Sequence, residues 1–474
     1  MAPSVPLAYP TLSNPLPSRP YILSITPTLS SSSPHLLLRH PSPSITIADN
    51  QTLQPVEVLQ GGHGGDVTDI TVDESGGVWS SAKDASIVRW DERTRQPAMT
   101  IKAFVRKPLP VLAMTVSERD HLVVAGTELV SSEAHILFWD MRNHKTPAYS
   151  HASTHSDDIT HLSLLPPTSS FLPSSSSFPS RLLLSTSTDG LVALSDLKEA
   201  DEDEAVQAAD NWGQSIAGAG CYLHRRGLKV WARSDMDGVC VWSLGKGVVE
   251  DEDGEVVEMQ NPVEYGSDNF KFRDFNPPST LPSTARSAEE ERVDKAGRLT
   301  SDYLIDVAPS LGVGKHGGPM VAVGTNAGDI VLLHQSSTTS PSYIPSAFLA
   351  SGPSPNRGHA DVVRSIFHDV QNEALYTGSE DGVLCGWSLA SLPERLRVGD
   401  PDIDDDGGDG REGIDRADEE SEIESDDDDD DDDGMDVDDD DEEEGEEGPR
   451  YGPVLGRAAG DRREKRREKR VNPY

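Results

Sequence analysis

Histidine and aspartate residues stand together at several points of the chain, where they could bind a metal ion or move a proton. The densest group is the segment 151–158, which contains His151, His155, Asp157 and Asp158. A zinc site needs ligands that converge from fixed spacings, and the edge of one hairpin does not provide them. We therefore interpret His155 as a structural residue, and we predict neither a metal site nor any other cofactor.

Known catalytic patterns are missing from the sequence. The chain contains no Cys-x-x-Cys, His-Glu-x-x-His, Gly-x-Ser-x-Gly or P-loop pattern. The glycine-rich segments 61–66 and 312–318 lack the strand–loop–helix context of a phosphate site. The sequence thus predicts a protein that is not an enzyme.

Two histidines begin a spaced set of four residues. The sets are His63, Ser80, Asp84 and Trp90, and His359, Thr377, Asp381 and Trp387. In both, the aspartate stands four residues after the hydroxyl and six before the tryptophan. A buried carboxylate needs hydrogen-bond donors, and imidazole, hydroxyl and indole groups supply them. We predict a structural hydrogen-bonded network in each set.

A weaker version of the set occurs twice more. His155, Ser185 and Asp189 form a third set, in which Ser195 stands where tryptophan is expected. In a further repeat, Asn326 replaces the aspartate. Two full sets and these partial ones indicate a repeated structural unit.

The elements that carry these sets are predicted to be short β-strands. From about residue 20 to residue 397, apolar runs of four to six residues alternate with turn residues, which indicates an all-β fold. Seven such runs close on Asp49, Asp91, Asp140, Asp196, Ser243, His334 and Ser388. A WD-repeat blade is about 40–45 residues of four strands, and the two longest intervals contain polar insertions, at 166–180 and at about 250–300. The sequence predicts a seven-bladed WD-repeat β-propeller.

The predicted boundaries follow composition. Residues 1–19 form a Pro-rich segment, 20–399 the propeller, 400–447 a disordered acidic tail and 448–474 a basic segment. The outer strand that closes the last blade has two candidates, Val5–Leu7 and the segment near Leu396–Val398. The pattern does not choose between them.

Charge is concentrated at the C-terminal end. The chain has a net charge of −41, and residues 400–447 hold 31 acidic and two basic residues. Such a tail stays extended and solvated. It either attracts basic partners, such as histones or ribosomal proteins, or only solubilises the chain. The segment 461–470 is consistent with a nuclear localisation signal or with a short charged helix, and its basic residues are Arg462, Arg463, Lys465, Arg466, Arg467, Lys469 and Arg470.

Compartment and membrane association can also be predicted. Three cysteines do not indicate a disulfide framework, and they fit a reducing compartment. The N-terminus has no secretory pattern, and no apolar run reaches the roughly 18 residues of a membrane span. We expect a soluble protein of the nucleus, found in the cytoplasm as well, that binds neither membranes nor nucleic acid directly.

Two Trp-Asp-any-Arg motifs follow predicted third strands. They place Asp91 with Arg93 and Asp140 with Arg142 in successive repeats. In some WD-repeat proteins this pattern marks docking to the adaptor of a cullin–RING ubiquitin ligase. The alternative is that Trp-Asp belongs to the repeat and the arginines follow by chance.

Several segments resemble the WD repeat-containing protein 89 family. The similar stretches are 123–142, 154–162, 185–206, 321–334 and 357–387, in the family's order. The insertions and the long poly-Asp run depart from that family. The resemblance implies a seven-bladed, nuclear propeller and implies little about mechanism, because fold alone does not define function. We expect a non-catalytic scaffold for protein–protein interactions, with a cullin–RING substrate receptor and an acidic-tailed chaperone as alternatives.

Overall fold

Short β-strands make up most of the described part of the chain. The computed structural model describes residues 5–29, 34–91, 93–171, 179–225, 227–248, 255–270, 301–314, 316–336, 342–350 and 357–391. Within these ranges the strands form seven separate sheets of four or five strands. The predicted seven-bladed, all-β architecture is confirmed.

Five blades each use four consecutive strands. Blade 1 is β3 (Ser24–Pro27), β4 (His35–Arg39), β5 (Ile45–Asp49) and β6 (Pro55–Leu59). Blade 2 is β7 (Val67–Val72), β8 (Val78–Ala82), β9 (Ser86–Trp90) and β10 (Pro97–Lys102). Blade 3 is β11 (Val111–Ser117), β12 (Leu122–Thr127), β13 (Ile136–Asp140) and β14 (Tyr149–His151). Blade 4 is β15 (Ile159–Leu164), β16 (Leu182–Ser187), β17 (Leu191–Asp196) and β18 (Val206–Asn211). Blade 5 is β19 (Ile216–His224), β20 (Gly227–Ser234), β21 (Val239–Val248) and β22 (Glu255–Tyr265).

The last two blades recruit the start of the chain. Blade 6 is β23 (Tyr303–Val307), β24 (Val321–Gly324), β25 (Ile330–Gln335) and β26 (Tyr343–Leu349), with β1 (Leu7–Ala8) added parallel to β26. Blade 7 is β27 (Val363–Asp369), β28 (Ala374–Ser379) and β29 (Val383–Ser388), completed by β2 (Leu12–Pro15). Four-residue helix α1 (Glu202–Ala205) and 3₁₀ turns at Thr168–Ser170, Ser267–Phe270, Pro309–Leu311 and Leu389–Ser391 are the described helical elements.

The ring is closed by β2. Leu12 pairs with Gly386 and Pro15 with Val383, in antiparallel register to β29. The propeller therefore begins inside the segment 1–19, and the predicted boundary at residue 20 is wrong. Two segments were candidates for the closing strand. Val5–Leu7 shares only Leu7 with β1, which extends blade 6 and not blade 7. The segment 396–398 lies outside the described residues. Pairing across some 370 positions leaves no local signal in the sequence.

The interval 250–300 also contains a strand that the sequence did not indicate. β22 pairs with β21 from Val239–Tyr265 to Val248–Glu255. Its alternating apolar residues are interrupted by Glu, Gln, Asn and Pro, which mask a strand pattern. The insertion thus begins as the outer strand of blade 5, and residues 271–300 lie outside the described part. In the insertion 166–180, Phe171 packs into the hydrophobic cluster between blades 4 and 5.

Apolar side chains fill the spaces between neighbouring blades. Trp79 of blade 2 and Trp139 of blade 3 are fully buried in one such cluster. The cluster between blades 7 and 1 is supplemented by Tyr376, whose hydroxyl donates to the carbonyl of Asn50 at 3.0 Å. Because a blade is covered on both faces, its strands carry continuous apolar runs such as Leu36–Leu38, all buried.

The blades present two loop faces. The loops that enter each blade and the turns between second and third strands lie at one edge, which we call the upper face. The turns between first and second, and between third and fourth, strands lie at the opposite edge, the lower face. This follows from the antiparallel order within each blade.

Candidate functional site

The four predicted residues of blade 2 are brought together at the upper face. The indole Nε1 of Trp90 donates to Ser80 Oγ at 2.8 Å, and Ser80 Oγ lies 2.7 Å from His63 Nε2. The other ring nitrogen of His63 meets Ser86 Oγ at 2.8 Å, and Ser86 donates to Asp84. His63 and Asp84 are themselves 3.7 Å apart, so Ser86 bridges them.

The charge states of His63 and Asp84 determine the direction of this series of hydrogen bonds. Burial lowers the pKa of His63, so the ring is neutral at pH 7. Burial opposes ionisation of Asp84, but hydrogen bonds from Ser86 and from the Gly64 N–H outweigh it and lower the pKa of Asp84. Protons then point one way, from the Trp90 indole through Ser80 to His63 Nε2, and from His63 Nδ1 through Ser86 to the carboxylate. Every polar group in this blade 2 network therefore has a hydrogen-bond partner.

Blade 7 repeats the tryptophan, hydroxyl and histidine part of this arrangement. Trp387 Nε1 donates to Thr377 Oγ1 at 2.8 Å, and that oxygen lies 2.6 Å from His359 Nε2. His359 Nδ1 is 3.9 Å from both Asp381 Oδ1 and Cys385 Sγ. No serine stands two residues after the aspartate here, so the bridge seen in blade 2 is absent from this blade.

Blade 4 holds the partial set. His155 Nε2 lies 2.9 Å from Ser185 Oγ, and His155 Nδ1 lies 3.6 Å from Asp189 Oδ2. Burial alone raises the pKa of Asp189, but the nearby His155 ring and hydrogen bonds from the Leu191 and Ser156 N–H groups lower it to about 2. Ser195, at the tryptophan position, is buried and its hydroxyl has no hydrogen-bond partner among the described residues.

Carboxylates of these sets fasten the loops of the upper face. Asp84 accepts from the Gly64 N–H at 2.9 Å, Asp189 from Ser156 at 2.7 Å and Asp381 from Ala360 at 2.8 Å. In blade 6 the carboxylate lies on the other loop. Asp302, on the loop that enters the blade, accepts from the Asn326 N–H at 2.7 Å. The aspartate missing at position 326 is thus replaced by one on the opposite loop. All these contacts hold loops in place.

Glu202 makes a comparable contact that the sequence did not reveal. Its carboxylate accepts from the N–H groups of Ala152, Ser153 and Thr154 at 2.5–2.8 Å, and from the Thr154 hydroxyl. Burial opposes its ionisation, but these bonds lower the pKa of Glu202 to about 2. The start of the segment 151–158 is therefore held by a carboxylate from the connection between β17 and β18. The short helix α1, which carries Glu202, is capped by Asp201, whose side chain accepts from the Asp203 N–H.

The predicted docking aspartates lie in turns of the lower face. Asp91 Oδ1 accepts from the N–H groups of Arg93 and Thr94, and Asp140 Oδ1 accepts from the Arg142 N–H at 2.8 Å. Both arginines are exposed at corresponding turns of neighbouring blades. The same cap occurs without arginine at Asp49, which accepts from Gln51 and Thr52, and at Asp196, which accepts from Lys198. The aspartates therefore have a structural role, and the arginine side chains are left for contacts.

A cavity of about 550 Å³ opens on the lower face among blades 5, 6 and 7. Its lining includes Cys221, Tyr222, Trp231, Phe367 and His368. Burial raises the pKa of the Cys221 thiol to about 11 and lowers the pKa of His368. Both groups are therefore neutral at pH 7, and the cysteine is not an activated nucleophile.

The described ranges contain neither a metal-binding cluster nor a membrane-spanning helix. They hold no cluster of three or more His, Cys, Asp and Glu side chains arranged to bind a metal ion. None of their helices is long and apolar enough to cross a membrane. The acidic tail and the basic residues 462–470 lie outside the described residues, so the predictions made for them stay predictions.

Comparison with known proteins gives weak but consistent similarity. No family model matches the chain. It is 26% identical over 328 residues to the uncharacterized WD repeat-containing protein YNL035C of Saccharomyces cerevisiae, a match covering 67% of this chain and 66% of that protein. It is 24% identical over 320 residues to the uncharacterized WD repeat-containing protein C63.06 of Schizosaccharomyces pombe, covering 66% of this chain and 80% of the other. The match thus spans just under two thirds of the budding-yeast protein.

These relatives carry the repeat that the blades and their hydrogen-bonded sets display. The chain is a seven-bladed β-propeller that is similar to these two WD repeat-containing proteins. Among solved structures, the match to the computationally designed protein Ika8 covers 81% of this chain and 100% of that chain, with 15% identity and a TM-score of 0.48. The resemblance to the WD repeat-containing protein 89 family stays a prediction.

Proposed function

We propose that this WD-repeat propeller is a non-catalytic scaffold that binds protein segments in the nucleus. The observation that carries the proposal is the fastening of the upper-face loops by carboxylates, in which Asp84, Asp189, Asp381 and Asp302 each accept from a backbone N–H of a neighbouring loop. Loops held in one conformation lose little entropy when they bind a partner. Binding residues concentrate on loops that a rigid framework positions.

Native affinity purification tests the scaffold role. The full chain and a chain starting at Pro20, which lacks the closing strand β2, are recovered from the same nuclear extract at equal bait levels. The proposal expects partners that accompany the full chain in near-equal amounts and are lost from the shortened chain. Recovery of the bait alone, or equal partner recovery by both chains, contradicts it. A reporter fused to residues 448–474 tests nuclear import separately, and a diffuse cytoplasmic signal refutes that part.

A second candidate is docking to the adaptor of a cullin–RING ubiquitin ligase. It is favoured by the exposure of Arg93 and Arg142 at corresponding turns, with their aspartates occupied in capping. Purification of an Arg93→Ala/Arg142→Ala chain beside wild type tests it, with Arg119→Ala, an exposed arginine of the same face, as control. Loss of the adaptor from the double variant alone supports docking. Equal recovery, or no adaptor in any sample, rejects it.

The acidic-tailed chaperone for histones or ribosomal proteins stays a hypothesis based on charge. Residues 400–447 carry the charge that would steer basic partners, an effect that weakens with salt. Deletion of 400–447 tests it. Unchanged retention of basic proteins at low salt rejects it.

A further inference from the structure

Two neighbouring loops of the upper face expose apolar side chains. The first loop joins blades 2 and 3 and exposes Phe104 by 52% and Val105 by 41%. The second is the turn between β12 and β13 of blade 3, where Leu129 is exposed by 36%. We call these three side chains, together with Arg106 and Lys107, the blade 2–3 platform. Exposed apolar groups concentrated on loops indicate an interaction site more strongly than scattered ones do.

The two loops are fastened to each other and to blade 4. The Glu128 N–H donates to the Pro110 carbonyl at 2.9 Å, and Lys107 Nζ donates to Ser131 Oγ. The Leu129 N–H donates to Asp158 Oδ1 at 2.7 Å. The first loop is also closed on itself, because the Leu109 N–H donates to the Ala103 carbonyl at 2.9 Å. The exposed side chains therefore project from a fixed base.

The second loop holds a strained turn. Ser131 and Ser132 have φ values of 59° and 72°, and the Val130 N–H donates to the Glu133 carbonyl at 3.0 Å. Consecutive left-handed residues form a type I′ turn, which favours Asn-Gly and costs about 1–2 kcal/mol at each ordinary residue. Such strain persists where the surroundings impose it, and it is concentrated at functional positions.

The first loop of the platform is opposite in charge to the chain as a whole, whereas the second loop carries Glu128 and Glu133. No acidic residue occurs between Lys102 and Ser117, whereas the chain as a whole carries −41. Arg106 is exposed, and within the described residues it has no ion-pair partner. On the second loop, the Glu133 carboxylate lies 3.6 Å from His135 Nε2. The first loop thus offers positive charge beside apolar side chains.

We propose that the blade 2–3 platform binds an extended protein segment in which apolar side chains alternate with acidic ones. Phe104, Val105 and Leu129 bury the apolar side chains, and Arg106 and Lys107 pair with the acidic ones. Two of the three apolar groups are aliphatic, so the platform lacks the series of stacking rings that binds single-stranded nucleic acid. The inference rests on the proposed scaffold function and adds the location and the chemistry of the partner.

Labelled peptide pools test the proposal on the full chain. In one pool Leu or Phe alternates with Asp or Glu, and in the second Lys or Arg replaces the acidic residues. Fluorescence anisotropy is expected to show binding of the acidic pool at least about tenfold tighter than binding of the basic pool. Equal binding of the two pools, no binding of the acidic pool, or tighter binding of a single-stranded RNA oligonucleotide overturns the proposal.

Matched variants locate the binding. We expect binding of the acidic pool to weaken about tenfold in two variants, Phe104→Ser/Leu129→Ser and Arg106→Glu. The control is Val56→Ser/Val58→Ser on β6, where the valines are 57% and 42% exposed on an outer strand. Equal weakening in the control, or none in the platform variants, overturns the assignment. If partners still accompany the platform variants from extract, only the location fails; if the wild-type chain recovers none, the scaffold function itself fails.

Discussion

The ring of His63 and the carboxylate of Asp84 lie 3.7 Å apart and are joined through the hydroxyl of Ser86. On its other side, His63 Nε2 accepts from the Ser80 hydroxyl, and that hydroxyl accepts from the Trp90 indole. One blade is thus held by a directed chain of hydrogen bonds from its third strand to the loop that enters it. The same buried polar groups stabilise the propeller and order the loops of its upper face.

Replacement of Ser80 by alanine removes the hydroxyl that His63 and Trp90 share. His63 Nε2 and Trp90 Nε1 are then buried without a partner. We therefore expect a loss of about 2–3 kcal/mol in the free energy of unfolding. Urea unfolding followed by tryptophan fluorescence measures the change. An unchanged midpoint would falsify the assigned role of the network.

Ser195→Ala is the matched substitution with the opposite expectation. Ser195 is buried, and its hydroxyl has no hydrogen-bond partner among the described residues. Its removal relieves a desolvation penalty, so stability should stay the same or rise by up to about 1 kcal/mol. A loss as large as that of Ser80→Ala would show that serine-to-alanine changes destabilise these strands for another reason.

A chain that begins at Pro20 lacks the strand that closes blade 7. It loses the pairing of β2 with β29, the short pairing of β1 with β26 and the burial of Leu16, which is 3% exposed. We expect a loss of about 3–5 kcal/mol from several backbone hydrogen bonds and one apolar side chain. Differential scanning calorimetry compares it with a chain that begins at Val5, which should unfold like the full chain. Equal midpoints for all three would contradict closure by β2.

Glu202 should make stability depend on acidity. Burial opposes its ionisation, but the Thr154 hydroxyl and loop N–H groups donate to its carboxylate and lower its pKa from the usual 4.5 to about 2. A depressed pKa contributes stability that is present above pH 4.5 and is lost as pH falls towards about 2. Glu202→Gln should therefore be less stable than wild type at pH 7, and the difference should shrink over that window. The exposed neighbour Glu204 supplies the control, Glu204→Gln. A difference that stays constant with pH would show that the charge of Glu202 is unimportant.

The strained turn of blade 3 can be relieved. Ser131→Asn/Ser132→Gly places the preferred pair at the two left-handed positions. We expect a gain of about 0.5–1 kcal/mol, measured by urea unfolding. Asn retains a polar side chain near Lys107, so binding of the acidic peptide pool should persist. A loss of stability would mean that the serine side chains support the turn by contacts beyond those described.

The sequence predicted the blades well because their local chemistry repeats. Asp49, Asp91, Asp140 and Asp196 each lie at or directly after the end of a third strand, where the carboxylate caps the following turn. Ser243 is the exception, since β21 continues to Val248 in a longer hairpin. A residue type required by the local turn can be identified without knowledge of the fold.

Other features depended on distant partners and were missed. β2 has the sequence Leu-Ser-Asn-Pro, which has no strand pattern of its own and becomes a strand because β29 offers an unpaired edge. Ser86 joins the network of blade 2 although the spacing of the set gave no reason to include it. The blade 2–3 platform depends on two loops separated by 20 residues or more and brought together by Lys107 and Ser131.

Cross-linking mass spectrometry on natively purified complexes tests the scaffold role most directly. Lysine-reactive cross-links between the full chain and its co-purified proteins are mapped onto the ring, with Lys83, Lys102 and Lys107 as reporters of the upper face near blades 2 and 3. We predict partner cross-links concentrated at these lysines and absent from the chain that begins at Pro20. A purified chain that carries only cross-links within itself would contradict the account.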